Sequence, residues 1–457
     1  MIEEGAKAKE IKASDEKTSR ATTSYKPSLV ENICRWLYSF VFFIIIPIAF
    51  LNLARRGATR NKEYSQRRFE RFGFVARPPK TGGYLFHCVS VGEVVAASCL
   101  IKQIMQTEPN TQITVTTTTP TGSARVRDIF GNTVHHFYLP YDLHTAMAKM
   151  IKRIKPKAVL ITEVELWPNF IHACWKRDIP IMVINARMTD RSAKRYLKIS
   201  KLFRPMLNKL THICTQGQRD YNNYLMLGMP EARMTQTNNI KFDQAASTTQ
   251  HSQGFLGLST LDGPIFVAGS THDLEEQAMI DAVKTVWSST AVNLRLIIVP
   301  RHPERFDTVA KLLQQNKLNY VRTSEVDAVS SHSKVILLDE MGKLNSAYSI
   351  ASFAFVGGSI ANRGGHNALE PAAFSIPVMM GPNTYNNPVI CEYLEERGAL
   401  TIVSNAQDIA ARCEAWINDN DKLVKAGKAG RKVLEENSGA LDKTLTVIKH
   451  NVRESLV

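Results

Sequence analysis

A chain of 457 residues has room for two or three domains, and a hydrophobic fraction of 44% excludes a disordered or low-complexity polymer. A formal net charge of +15 and a pI near 9.4 call for an anionic partner; nucleic acid and a phospholipid surface both fit. Cys34, Cys88, Cys99, Cys174, Cys214, Cys391 and Cys413 are scattered, with no C-x-x-C pair and no His at metal spacing, which excludes a disulfide scaffold and points to reduced, structural thiols.

Residues 1–30 are polar and charged and are expected to be disordered. Trp36 to Ala54 carries no charge, and Arg55, Arg56, Arg60, Lys62, Arg67, Arg68 and Arg71 follow at once, whereas the preceding flank holds chiefly Lys26 and Arg35. A membrane anchor over 33–56 is predicted. Its length suits a hydrocarbon core of about 30 Å, and the cation bias would leave the C-terminal bulk in the cytoplasm. Pro47 would kink such a span, and a helix lying in the interface is the alternative. A cleaved signal peptide fits less well, because the run is long, starts late and lacks a small-residue cleavage site.

From residue 82 onward, apolar runs alternate with amphipathic patterns, as in parallel sheets built from βαβ units. Strands are expected at Tyr84–Val89, Ile113–Thr118, His135–Leu139, Ala158–Thr162, Ile181–Asn185 and His212–Thr215. After a polar linker over 244–262 they resume at Ile265–Ala268, Leu294–Val299, Tyr320–Thr323, Val335–Leu338, Phe353–Val356 and Pro377–Met380. This divides the chain into an N-terminal domain over 60–243 and a C-terminal one over 263–445, the last helical stretch being free to pack back on the first.

Several strand ends carry chemistry. Ser90-Val-Gly-Glu93 breaks the first strand and opens a helix; the macrodipole there favours an ionised Glu93, which is a candidate general base or simply a helix-start acid. Thr116 to Ser123 ends the second strand and offers either a phosphate or sugar contact or an N-cap. Glu163 and Glu165 follow the strand Ala158–Thr162; one is expected to face the crevice while the other braces a loop. Arg187, Arg191 and Arg195 form either an anion clamp or a solvated basic face. In the second half, Gly269-Ser-Thr-His272 and Pro300-Arg-His-Pro-Glu-Arg305 each follow a strand, and Arg301 is placed to meet a phosphate. Val356-Gly-Gly-Ser359 and Arg363-Gly-Gly-His-Asn-Ala-Leu-Glu370 make a strand–loop–helix pattern, the helix expected near His366. Its N-terminus suits a nucleotide phosphate, and Glu370 suits ribose hydroxyls. No Walker loop, H-E-x-x-H or G-x-S-x-G occurs, so neither a metal nor a cofactor is expected.

Taken in order, Ser90–Glu93, Thr119–Ser123, Tyr138-Leu-Pro-Tyr-Asp142, Glu165-Leu-Trp-Pro168, Asn185-Ala-Arg187, Lys241-Phe-Asp243, Val299–Arg305, Phe355–Ser359 and Gly364-Gly-His-Asn367 resemble the 3-deoxy-D-manno-octulosonic acid (Kdo) transferases of lipopolysaccharide synthesis. The resemblance runs from about residue 30 to the C-terminus. It implies a GT-B glycosyltransferase: two Rossmann-like domains facing a central crevice, with an N-terminal membrane-anchoring helix, on the cytoplasmic face of the inner membrane. The donor would be CMP-Kdo and the acceptor a tetraacylated, bisphosphorylated lipid A precursor, with inversion at the anomeric carbon. The position of Glu93 matches the family's catalytic base, and Glu163 and Lys241 match groups that stabilise the transition state. Pro300, Arg301, Met341, Gly342, Lys343, Asn367, Ala368, Leu369 and Glu370 match the CMP site. Lys343 and Ala368 depart from the acid and proline common there; Lys343 is compatible with nucleotide contact through backbone N–H groups. Two other classes fit parts of the pattern. A uridine-nucleotide epimerase or soluble transferase would share the glycine loop and Glu370. A nucleic-acid-binding protein would share the charge, but the chain lacks interleaved aromatic and basic surface motifs, so no nucleic-acid partner is expected.

Overall fold

The computed structural model describes residues 25–59, 67–248, 255–258, 262–330 and 332–454. They form two compact units, residues 1–240 with 439–457, and residues 241–438.

In unit 1, seven parallel strands run β1 (Tyr84–His87), β2 (Ile113–Thr117), β3 (His135–Tyr138), β4 (Ala158–Thr162), β5 (Ile181–Ala186), β6 (His212–Thr215) and β7 (Met234–Gln236), in spatial order β3-β2-β1-β4-β5-β6-β7. Tyr84–His87 pairs with Ile113–Thr116 on one side and Ala158–Ile161 on the other. Every residue of β1, β2, β4 and β5 is buried, which is why these strands read as continuous apolar runs rather than alternating ones. The helices are α1 (Leu29–Thr59), α2 (Val91–Thr107), α3 (Pro120–Phe130), α4 (His144–Ile154), α5 (Pro168–Trp175), α6 (Asp190–Lys198), α7 (Ser200–Lys209) and α8 (Gln218–Met226). One face of the sheet packs on α4, α5 and α7, the other on α2.

Unit 2 begins with α9 (Ile240–Thr248), which starts one residue before the unit boundary. Its sheet contains β8 (Ile265–Thr271), β9 (Arg295–Pro300), β10 (Tyr320–Arg322), β11 (Val335–Leu337), β12 (Phe353–Val356), β13 (Val378–Met380) and β14 (Leu400–Ile402), all parallel, in order β10-β11-β9-β8-β12-β13-β14. Its other helices are α10 (Glu275–Ser289), α11 (Phe306–Gln315), α12 (Leu344–Tyr348), α13 (Leu369–Ala373), α14 (Pro388–Glu396), α15 (Ala406–Asn418) and α16 (Asn420–Asn437). The chain then returns to unit 1 as α17 (Ala440–Glu454), which buries Leu445, Ile448 and Val452 on the face carrying α2.

Three boundaries differ from expectation. The linker expected from 244 is helical to Thr248, where Phe242 and Ala245 are anchored in apolar contacts; 249–254 and 259–261 lie outside the described residues. The C-terminal domain ends at Ser438 rather than 445, because the apolar stripe of α17 is satisfied on unit 1. The polar tail expected over 1–30 gives way to α1 at Leu29, and 1–24 lie outside the described residues.

α1 does not stand apart from unit 1. Ser39 and Ile46 are buried, Phe42 meets Trp167, and Phe50 meets Phe72. Arg35, expected as a flank cation, is 6% exposed and donates from Nη1 to Asn169 Oδ1 at 3.0 Å. The other face of the helix is bare: Leu37, Phe40, Phe43, Ile44, Ile48 and Leu51 are all exposed.

Candidate active site

The strand order of unit 1 reverses between β1 and β4, so the loops leaving these two strands diverge and open a crevice. Glu93 follows β1 and Glu163 follows β4. Ser90 caps α2: its Oγ accepts the Glu93 N–H at 3.3 Å and donates to Glu93 Oε1 at 3.0 Å. Glu93 Oε2 accepts the Val89 N–H at 2.8 Å and the Thr162 hydroxyl at 2.9 Å. The carboxylate is thus held between β1 and β4 and is 8% exposed. Burial pushes its pKa up to about 7, opposed by the Val89 N–H and reinforced by the charge of Glu163. The helix start therefore does not keep Glu93 at an ordinary carboxylate pKa: desolvation outweighs the hydrogen bonds it accepts from Val89, Thr162 and Ser90.

Glu163 sits in a left-handed turn with φ of +58°, its N–H bonded to Ile184 O at 3.0 Å. The chain here is a turn rather than extended, so the period-two alternation of a strand does not govern Glu163 and Glu165. Burial raises the pKa of Glu165, and the charge of Glu163 adds to it. Thr119 caps α3, accepting the Gly122 N–H at 3.1 Å.

In unit 2 the reversal falls between β8 and β12. Glu275, fully buried at the start of α10, accepts five backbone N–H groups. Oε2 takes His272 at 2.9 Å and Gly358 at 2.8 Å. Oε1 takes Ser359 at 3.0 Å, Ile360 at 2.9 Å and Ala361 at 3.2 Å. This carboxylate fixes the glycine loop after β12. At Gly357 a Cβ would stand 2.3 Å from Ser270 O, so only glycine lets the loop pass β8. His272 and His366 stack, with Nε2 atoms 2.9 Å apart. Pro300 is buried at the end of β9, and Arg301 is exposed beyond it. Glu370 is raised by burial and lowered by its Asn367 hydrogen bond and by the charge of Arg301, which also acts on His366. Asn367 Oδ1 accepts the Leu369 N–H at 3.2 Å. The helix expected near His366 begins instead at Leu369 and has five residues, because Asn367 turns the chain first. Met341 is exposed, Gly342 has φ of +84°, and Lys343 Nζ pairs with Glu340 at 2.8 Å.

A family model described as 3-deoxy-D-manno-octulosonic-acid transferase (kdotransferase) matches residues 66–244, and one for glycosyl transferases group 1 matches 275–433. The chain is 39% identical, over 91% of its length and 98% of the relative's, to the 3-deoxy-D-manno-octulosonic acid transferase of Haemophilus influenzae. It belongs to the Kdo transferase family.

Two solved structures share the fold alone. One is the UDP-GlcNAc 2-epimerase of Neisseria meningitidis, TM-score 0.54, 13% identical, covering 81% of this chain and 100% of its own. The other is MurG of Acinetobacter baumannii, TM-score 0.51, 10% identical, covering 81% and 100%. The chain is thus a Kdo glycosyltransferase with the two parallel α/β sheets of GT-B enzymes.

Within this enzyme the residues expected to act fall into two groups. Glu93 and Glu163 come together at the reversal of unit 1. Arg301, His366 and Glu370 come together at the reversal of unit 2, where Tyr348 of α12 lies against Gly269 and feels the charge of Glu370. Lys241 belongs to unit 2 and donates from Nζ to Asn387 Oδ1 at 2.7 Å. Glu275 escaped the sequence reading, since a Glu-Glu pair at a helix start resembles solvated acids; its one signal was the preceding strand that ends in Gly269-Ser-Thr.

Proposed function

We propose that this enzyme transfers Kdo from CMP-Kdo to a hydroxyl of a tetraacylated, bisphosphorylated lipid A precursor, with inversion, and that Glu93 is the general base. The observation that carries this reading is a buried carboxylate raised to about 7 at the reversal of unit 1. A base poised near the operating pH best combines availability with proton affinity. Glu93 takes the proton of the acceptor hydroxyl as its oxygen bonds to the anomeric carbon of Kdo. The bond from that carbon to the CMP phosphate breaks, and its electron pair leaves with CMP. One displacement with one base inverts the centre. Glu163 and Lys241 are assigned to transition-state stabilisation. The departing phosphate is assigned to Arg301 and the backbone N–H groups of Met341–Lys343, and the ribose to Asn367–Glu370. The side chain of Lys343 is engaged by Glu340, which agrees with nucleotide contact through the backbone there.

The acceptor is a lipid, and α1 supplies the place to meet it. A helix docked on its own domain from Arg35 to Phe50 with a bare apolar face suits the membrane surface rather than a crossing, on the cytoplasmic side of the inner membrane. Exposed Phe69 and Phe74 near it extend the apolar surface. A nucleotide panel tests the donor assignment: CMP should bind at least about tenfold tighter than UDP. Equal or tighter UDP binding overturns it.

A further inference from the structure

Beside α1, on the side of unit 1 covered by α4 and α5, lies a cavity of about 280 Å³ lined by His144, Ala148, His172, Ala173, Lys176 and Arg177. Its polar lining is cationic or titratable. His172 is 7% exposed, and its Nδ1 has no hydrogen-bond partner among the described residues. Burial, then the charges of Arg35 and Lys209, push this imidazole down to about 3, so it is neutral at physiological pH. His144 Nδ1 lies 3.3 Å from Arg35 Nη1, and its ring packs on Trp36 at 5.3 Å. Lys176 and Arg177 are exposed; Arg177 donates to Ala173 O at 2.8 Å, and Lys176 forms no ion pair among the described residues. The buried carboxylate of this region, Asp142, accepts the N–H groups of Asn169 and Phe170 at 2.9 and 2.8 Å and faces the charge of Arg35, but it does not line the cavity. Positive charge therefore converges on a cavity whose lining supplies no counter-charge, with an unsatisfied buried imidazole in its wall.

We propose that this cavity, walled by His144, His172, Lys176 and Arg177, binds the phosphate of an anionic lipid headgroup at the membrane surface where α1 lies. Imidazole donors and flexible ammonium and guanidinium groups are the chemistry that recognises phosphate oxygens. Trp36, half-exposed beside His144, suits the headgroup level. The site rests on the reading that α1 lies in the membrane surface, and it is separate from the crevice that holds Glu93.

The test is binding of the full chain to phosphatidylcholine vesicles with and without phosphatidylglycerol, at about 0.15 M salt to screen long-range attraction. The wild type should bind both and favour the anionic vesicles. Lys176→Glu should lose about tenfold of that preference, and so should His172→Phe, which changes no charge at neutral pH. The control Lys102→Glu, on α2 at the opposite face of the sheet, should lose far less. Equal losses in the control, or none in His172→Phe, overturn the proposal. If the wild type ignores both vesicles, the membrane reading of α1 falls and the lipid assignment with it. If it binds both equally, only the cavity assignment falls. Inorganic phosphate separates the two sources of this chemistry: stabilisation of the wild type but not of His172→Phe by free phosphate, with no preference for anionic vesicles, overturns the lipid assignment.

Discussion

Glu93→Gln should make the protein more stable and less active, and the gain should depend on pH. The carboxyl pKa rises from 4.5 to about 7 on folding. The unfolded chain then releases this proton first, so the folded state loses stability as pH rises between those values. A shift of that size amounts to about 3 kcal/mol at pH 8 but under about 1 kcal/mol at pH 5. Glutamine keeps the shape and can turn its oxygen to the Val89 N–H and Thr162 hydroxyl, and its amide to Ser90 Oγ. It carries no charge to desolvate. The stability difference between variant and wild type, followed by denaturation of unit 1, should therefore grow by about 2–3 kcal/mol from pH 5 to pH 8. Transfer should fall about 10²–10⁴-fold at pH 8 and by much less at pH 5, where the wild-type base is already mostly protonated. A pH-independent difference would refute the raised pKa. Retained turnover would leave Glu93 as no more than the partner of Ser90 in the first turn of α2.

The remaining predictions concern both units. Wild-type kcat/KM should rise with pH through about 7 to a plateau, because the base must be ionised; a flat profile from pH 5.5 to 8.5 contradicts this. Glu275→Gln replaces one of two acceptor oxygens with a donor facing N–H groups, so unit 2 should lose about 2–4 kcal/mol and CMP binding should weaken in calorimetry. Gly357→Ala places a Cβ against Ser270 O and should weaken CMP binding while leaving the melting of unit 1 unchanged. Arg301→Ala should weaken CMP by about tenfold or more, since charge-assisted contacts to phosphate are the strong ones; unchanged affinity removes Arg301 from the donor site.

The parallel strands were legible because both faces are buried: the runs at Tyr84, Ala158 and Phe353 sit within a residue or two of where they were expected. β7 and β14 were missed. Each has three residues, of which only Met234 and Leu400 are buried, too short for an apolar run. A linker was expected over 244–262 because the composition turns small and polar, yet two apolar anchors, Phe242 and Ala245, carry α9 to Thr248. Single-residue chemistry was harder to see. Glu93 was visible as a strand-end acid, but its raised pKa depends on Val89, Thr162 and Glu163 converging, which only the crossover from β1 to β4 arranges. Glu275 was passed over and Arg35 was taken as a flank cation, because nothing local announces that five N–H groups, or Asn169, will close over them.

Mass spectrometry of the lipid product formed when the purified enzyme is given CMP-Kdo and the tetraacylated, bisphosphorylated lipid A precursor reads the transfer itself. The prediction is an acceptor heavier by one or more Kdo residues, formed with release of CMP and absent with Glu93→Gln. An unmodified acceptor with the wild type, or a product of equal yield with Glu93→Gln, would contradict it.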